Sequence, residues 1–102
     1  DLGSLFKQAQ EMQSKMADVQ RDLAEKKVEV STGGGMVKIV ANGVNEIISV
    51  HIDDELINMN DREVLEDLIT GAINEVHRKV KELAQEEMTR FTGGIKIPGL
   101  FP

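Results

Sequence analysis

One apolar seam runs through the first quarter of the chain: Leu5, Ala9, Met12, Met16, Val19 and Leu23 recur at spacings of 4, 3, 4, 3 and 4. A repeat of 3.5 residues holds a narrow stripe on one face of a helix, the pattern that lets two helices lie together along their length. The spacing predicts a helix over 4–27, a rod of roughly 36 Å at 1.5 Å per residue. Gln8, Gln10, Gln13, Ser14, Asp18, Gln20 and Asp22 fill its other faces. Such a rod is marginal alone and wants a neighbour on its seam. Met12 and Met16 read as adaptable packing residues rather than as a cofactor site.

After Lys27 the period falls to two. Val28 and Val30 alternate with Glu29 and Ser31 as a short strand, broken by Gly33-Gly34-Gly35. Met36 to Ala41 is a second β-rich run. Asn42-Gly43 after it is a strong hairpin signal, because both central residues of a type I′ turn need positive φ. Val44 to Ile52 reads as a third strand, with Val44, Glu46, Ile48, Val50 and Ile52 on one face and Asn45, Ile47, Ser49 and His51 on the other. Residues 28–52 are thus expected to form an antiparallel meander.

Asp53-Asp54-Glu55 closes the third strand, and Leu56 to Met59 reads as a loop or a short turn of helix. Asn60 has the character of an N-cap with Glu63 completing a capping box, and the acidic Asp61, Glu63, Glu66 and Asp67 suit the positive end of a helix dipole. Leu65, Leu68, Ile69, Ala72, Ile73, Val76, Val80, Leu83, Ala84 and Met88 then keep helical spacing, which predicts a helix over 60–91. Gly71 within it marks a bend or a close approach to the sheet. Gly93-Gly94 ends the helix, leaving 93–102 as an apolar tail around Pro98-Gly99. The fold class is α+β, an α-β-β-β-α protomer with two long helices in a single domain over 1–102.

With 102 residues and no Cys, the chain has no disulfide framework, thiolate metal site or cysteine nucleophile. No apolar run approaches the roughly 18 residues of a membrane span, and the first residues lack a secretory pattern, so a cytoplasmic protein without a membrane partner is expected. Three Phe and neither Trp nor Tyr leave no stacking platform for single-stranded nucleic acid. The net charge of −6 argues against broad wrapping of a polyanion, and most of the acid excess sits between Asp53 and Asp67.

The glycines at 33–35 precede a strand, whereas a phosphate loop precedes a helix. His51 and His77 lack a partner at metal-pair spacing, the Asp53–Glu55 run lacks calcium-loop spacing, and Ser31-Thr32 has no base beside it. No catalytic residue, metal ligand or cofactor site is expected. Read from the residues alone, the chain is a dimeric helical interaction module.

The order of these pieces carries more. The opening Leu5-Phe6-Lys7-Gln8-Ala9-Gln10-Glu11-Met12, then Gly33-Gly34-Gly35-Met36-Val37-Lys38-Ile39, Asn42-Gly43 and Ile52-Asp53-Asp54-Glu55-Leu56 follow in sequence. Glu66-Asp67-Leu68-Ile69, Ala72-Ile73-Asn74 and the Ile97-Pro98-Gly99 tail complete the series. Over essentially the whole chain this closely resembles the YbaB/EbfC family of bacterial nucleoid-associated proteins.

The resemblance implies a homodimer whose sheets join centrally while the long helices project as paired, tweezer-like arms. It implies binding of double-stranded DNA with weak or variable sequence preference, an effect on nucleoid organisation and gene expression, and a link to recombination or repair proteins. Since the family's DNA contact is placed on the projecting helices, the start of the first helix and the end of the second should form the distal tips. Lys7, Lys15, Arg90 and Lys96 are then expected at the arm ends, with Arg78, Lys79 and Lys81 farther in, each as a phosphate contact. The competing reading is a dimeric adaptor with no DNA role, gripping a protein partner through Met12, Met16 and Met88 or through Leu100-Phe101.

Overall fold

A computed structural model describes residues 1–93; the expected tail, with Lys96 and the Leu100-Phe101 pair, lies outside the described residues. The chain begins with α1 (Leu2–Glu25), which starts and ends two residues earlier than the spacing predicts. Asp1 supplies the N-cap, its carboxylate accepting from the Ser4 amide at 2.7 Å, and Lys26 turns extended to enter the sheet. β1 (Lys27–Thr32), β2 (Val37–Asn42) and β3 (Ile47–Ile52) follow as an antiparallel meander in the order β1-β2-β3. A short α2 (Asp54–Asn58) is capped by Asp53, and α3 (Arg62–Phe91) completes the α-β-β-β-α arrangement expected.

The core lies between one face of the sheet and α3. Val30, Val37, Ile39 and Ala41 from the sheet meet Ala72, Val76 and Val80 of α3, with Leu56 of α2 closing one end. These positions follow period two on the strands and 3.6 on the helix, as a half-buried sheet under an amphipathic helix requires. Gly71 stands where α3 passes β1; a Cβ there would lie 3.6 Å from the Thr32 methyl, an ordinary contact. α3 continues unbroken through that approach.

Two turns depart from expectation. In the β2–β3 connection the positive φ falls on Asn45 (66°), not on Asn42 or Gly43. Asn42 is the last residue of β2 and is buried; its side-chain oxygen accepts from the amides of Val44 (3.1 Å) and Glu46 (2.9 Å), so an Asx-type turn replaces the type I′ turn. Before α3, Asn60 takes the left-handed turn (φ 53°) and Asp61 is the N-cap, accepting from Val64 N–H at 3.2 Å; the expected Asn60–Glu63 box does not form. At 33–35 the three glycines all have positive φ, as the tight β1–β2 turn demands.

β3 starts at Ile47, three residues later than predicted, and its alternation is interrupted. Ala41 pairs with Ile47 but Val40 pairs with Ser49, so Ile48 is an extra residue in a bulge. The strict two-face reading of 44–52 therefore fails before Ser49. More consequential is the position of α3, which covers β1 and β2 and leaves β3 bare. Ile39 is 2% exposed, yet Val50 directly opposite it in register is 52% exposed.

Candidate nucleic-acid interface

The two long helices make an arm: α1 runs toward the sheet and α3 runs away from it. The sheet end of α1 is fixed at three points. Leu23 is the buried end of the apolar seam. The amide of Gly43 donates to the carbonyls of Leu23 (2.8 Å) and Lys26 (3.1 Å), satisfying acceptors that the end of a helix leaves free. Glu87 of α3, 7% exposed, receives Lys26 from the end of α1 and Arg90 from its own helix at 2.9 Å. The hydrogen bond from Lys26 and the nearby Arg90 charge together hold the Glu87 carboxyl below the usual carboxylate range.

The seam does not have a partner helix along its whole length. Val19 and Met16 are half-buried, and the groove shared with α3 is lined by Lys15, Asp18, Val19, Asp22, Glu87, Arg90 and Phe91. From Ser14 back to Leu2 the helix is exposed on every face and projects about 20 Å farther. The distal tip among the described residues is thus the start of α1 alone, whereas α3 ends level with the middle of α1. Lys7 is at the tip; Lys15 and Arg90 are brought together in the groove rather than at separate arm ends.

The cations differ sharply in their freedom. Arg78 is forked onto Glu75 by two hydrogen bonds (2.7 and 3.1 Å) and reaches Glu82 at 2.9 Å. Its bidentate pairing with Glu75 raises the guanidinium further above its ordinary value and lowers the Glu75 carboxyl. Lys79 donates to the Glu29 carbonyl at 3.3 Å, capping the outer edge of β1. Lys7, Lys15 and Lys81 are exposed, and among the described residues no carboxylate lies within salt-bridge distance of them. Lys96 lies outside the described residues.

The acidic excess is set apart from this arm, although Glu11, Asp18, Asp22, Glu82, Glu86 and Glu87 stand on the arm helices themselves. Seven carboxylates and one arginine between Asp53 and Asp67 account for the whole net charge of −6, leaving the rest of the chain balanced. Asp67 and Phe91 are separated by about 36 Å of helix, several Debye lengths at physiological salt. The excess at 53–67 is therefore screened from the far end of the arm, where acidic and basic residues nearly balance. Glu87 is the residue that sequence reading missed. Its spacing to Arg90 is visible, but its contact with Lys26 spans 61 positions and leaves no local signal.

The model of the YbaB/EbfC DNA-binding family matches residues 1–95. The chain belongs to that family. A nucleoid-associated protein of Desulfotalea psychrophila is 46% identical over 100 residues, covering 98% of this chain and 94% of its own. One from Thermoanaerobacter pseudethanolicus is 44% identical over 101 residues, covering 99% and 91%. The crystal structure of an uncharacterized Helicobacter pylori protein matches with a TM-score of 0.82 at 23% identity, covering 90% of this chain and 97% of that one, which shows the fold. As a YbaB/EbfC protein the chain is of a nucleoid-associated, DNA-binding kind, with bacterial relatives. Among the described residues no helix is long and apolar enough to cross a membrane, and no three His, Asp or Glu side chains converge as a metal site.

Proposed function

We propose that this protein binds double-stranded DNA as a homodimer, through its helical arms and without strong sequence preference, and so helps to organise the nucleoid and influences gene expression. No catalytic step belongs to this reading. The observation that carries it is the separation of charge: Lys7, Lys15 and Lys81 have no carboxylate within salt-bridge distance among the described residues, while the acidic excess is confined to 53–67, about 21 Å of helix from Lys81 and farther from Lys7 and Lys15. Phosphate contacts from such lysines position a protein on DNA while reading no bases.

The homodimer rests on β3. Ile47, Ile48 and Val50 are each about half exposed, on an edge strand whose backbone is unpaired on one side. An apolar open edge of this kind invites pairing with another chain. A second copy placed there would join the two sheets and carry two arms.

Fluorescence anisotropy of a labelled random-sequence duplex, titrated at several salt concentrations, tests the reading. Three free lysines per protomer, six per dimer, give an expected log–log salt slope of about −5. Absence of binding at low salt and high protein concentration overturns it and favours the adaptor reading.

A further inference from the structure

The stripe on α1 is covered at one end and bare at the other. Leu23 is buried and Val19 and Met16 are half-buried against α3, but Met12, Leu5 and Leu2 are 54%, 60% and 73% exposed, with Phe6 beside them at 69%. The repeat nevertheless continues through the bare half: Leu2, Leu5, Ala9 and Met12 keep spacings of 3, 4 and 3, in phase with Met16, Val19 and Leu23. A repeat of that period is the seam of a helix packed on another helix. Phe6 and Gln13 flank the bare seam on one side, Gln8 and Lys15 on the other, while Lys7 and Glu11 stand off it.

We propose that the bare seam is a self-pairing site, on which the α1 tip of a second copy lies antiparallel, the pair centred at Lys7. Leu2 then meets Met12 of the other copy and Leu5 meets Ala9, while Phe6 and Gln8 each lie beside their own counterparts. Charge favours a second copy in this direction. Lys15 of each chain faces Asp1 of the other, and no like charges flank the seam. Sterics exclude the parallel arrangement, because a second α1 running along the seam toward the sheet would collide with α3, which already covers it from Met16 onward. Antiparallel tips approach from opposite sides and leave each α3 in place. Two stripes of about three turns bury well under the ~1,600 Å² of a standard interface, so separate tips pair weakly and in proportion to concentration. If two arms belong to one particle, tip contacts join particles in a row; that consequence rests on the homodimer reading, whereas the tip contact does not.

The test uses the full chain from about 10 μM to about 1 mM, the span in which a contact of this size forms. Over that span hydrogen exchange of the amides from Phe6 to Met12 should slow by at least ~3-fold. In Leu5→Asp, at an exposed position, the slowing should vanish while the amides of Val37 to Ala41 keep their parent rates and report an intact fold. Exchange that does not change with concentration, or that slows equally in Leu5→Asp, overturns the proposal. Cysteine cross-linking reads the direction, since the chain has no cysteine of its own. A short bismaleimide should join two Gln8→Cys chains but not two Gln13→Cys chains; a product formed only when the two variants are mixed would indicate a parallel pair and overturn it. The Gln8→Cys product should persist, and grow with concentration, when Val50→Asp is added to open the sheet edge. Its loss there would mean that tips meet only within a particle held by β3, which overturns pairing between free tips and leaves the sheet-edge dimer standing.

Discussion

The amide of Gly43 meets the carbonyl of Leu23 at 2.8 Å, and a Cβ at Gly43 would stand 2.5 Å from that same oxygen. The glycine is required by the closeness of two backbones, one of which is the end of the arm helix.

Gly43→Ala should therefore cost about 1–3 kcal/mol, in the range of overpacked sites, because the obstacle, the Leu23 carbonyl, is rigid main chain. Gly34→Ala is the reference: φ is 65° but nothing lies within 4 Å, so its cost should stay near the ~1 kcal/mol of a left-handed residue. Urea denaturation of both variants checks the order. A Gly43→Ala protein as stable as Gly34→Ala would remove the close approach as the reason for this residue.

Glu87 predicts an acid limb. Its carboxyl is held below the ordinary range in the folded protein, so its contribution is present above the unfolded pKa of about 4.3 and is lost as pH falls through the lower folded value. Glu87→Gln should flatten that part of the stability–pH curve and leave Lys26 without its partner. An unchanged acid limb in the variant, measured by urea midpoints across the range, would contradict the assignment.

DNA binding should separate the cations by their partners. Lys7→Ala and Lys15→Ala should each make the salt slope shallower by about 2 for a dimer, one contact per protomer. Arg78→Ala should change it little, because Glu75 and Glu82 already occupy the guanidinium. Anisotropy titrations at several salt concentrations distinguish these, and an Arg78→Ala loss equal to that of Lys15→Ala would show that DNA displaces the carboxylates.

Leu56 and Val50 should fail in different ways. Leu56 is 1% exposed, so Leu56→Ala should destabilise the protomer by about 2–5 kcal/mol. Val50→Asp, on the bare strand, should reduce the sedimenting mass to that of one chain while circular dichroism stays unchanged. Loss of the folded signal in Val50→Asp at the same concentration would mean that the protomer does not stand without its neighbour.

The elements were legible in the sequence where a single period persists. The 3.5-residue repeat of α1, the alternation of Val28 and Val30, and the helical spacing from Leu65 to Met88 each survive into the structure; the last two record a face turned to the core, whereas the α1 stripe is covered only from Met16 to Leu23. Boundaries shifted where side-chain chemistry outweighs period: Asp1 and Asp61 act as caps, and Asn42 holds its turn by accepting two amides. The bulge at Ile48 left no trace in a strand of alternating appearance. For the site, the basic residues were visible but their partners were not. Arg78 was expected as a phosphate contact although glutamates stand around it at helical spacing, whereas the pairing of Lys26 with Glu87 exists only once α1 and α3 are brought together.

α3 has a mechanical meaning beyond packing. From Ala72 to Val80 it is clamped beneath the sheet, and from there to Phe91 it runs on without a glycine, a proline or a break. It behaves as a brace, built in at the core and joined through Glu87 to Lys26 at the sheet end of α1, which Gly43 also holds. With about 40 Å from Val80 to the tip of α1, a tilt of only 5° at the clamp would sweep the tip by about 3–4 Å. The position of the tip would thus be set by side chains that never meet a ligand, and because Ala72 and Val76 are fully buried, changes there would alter reach and stability together.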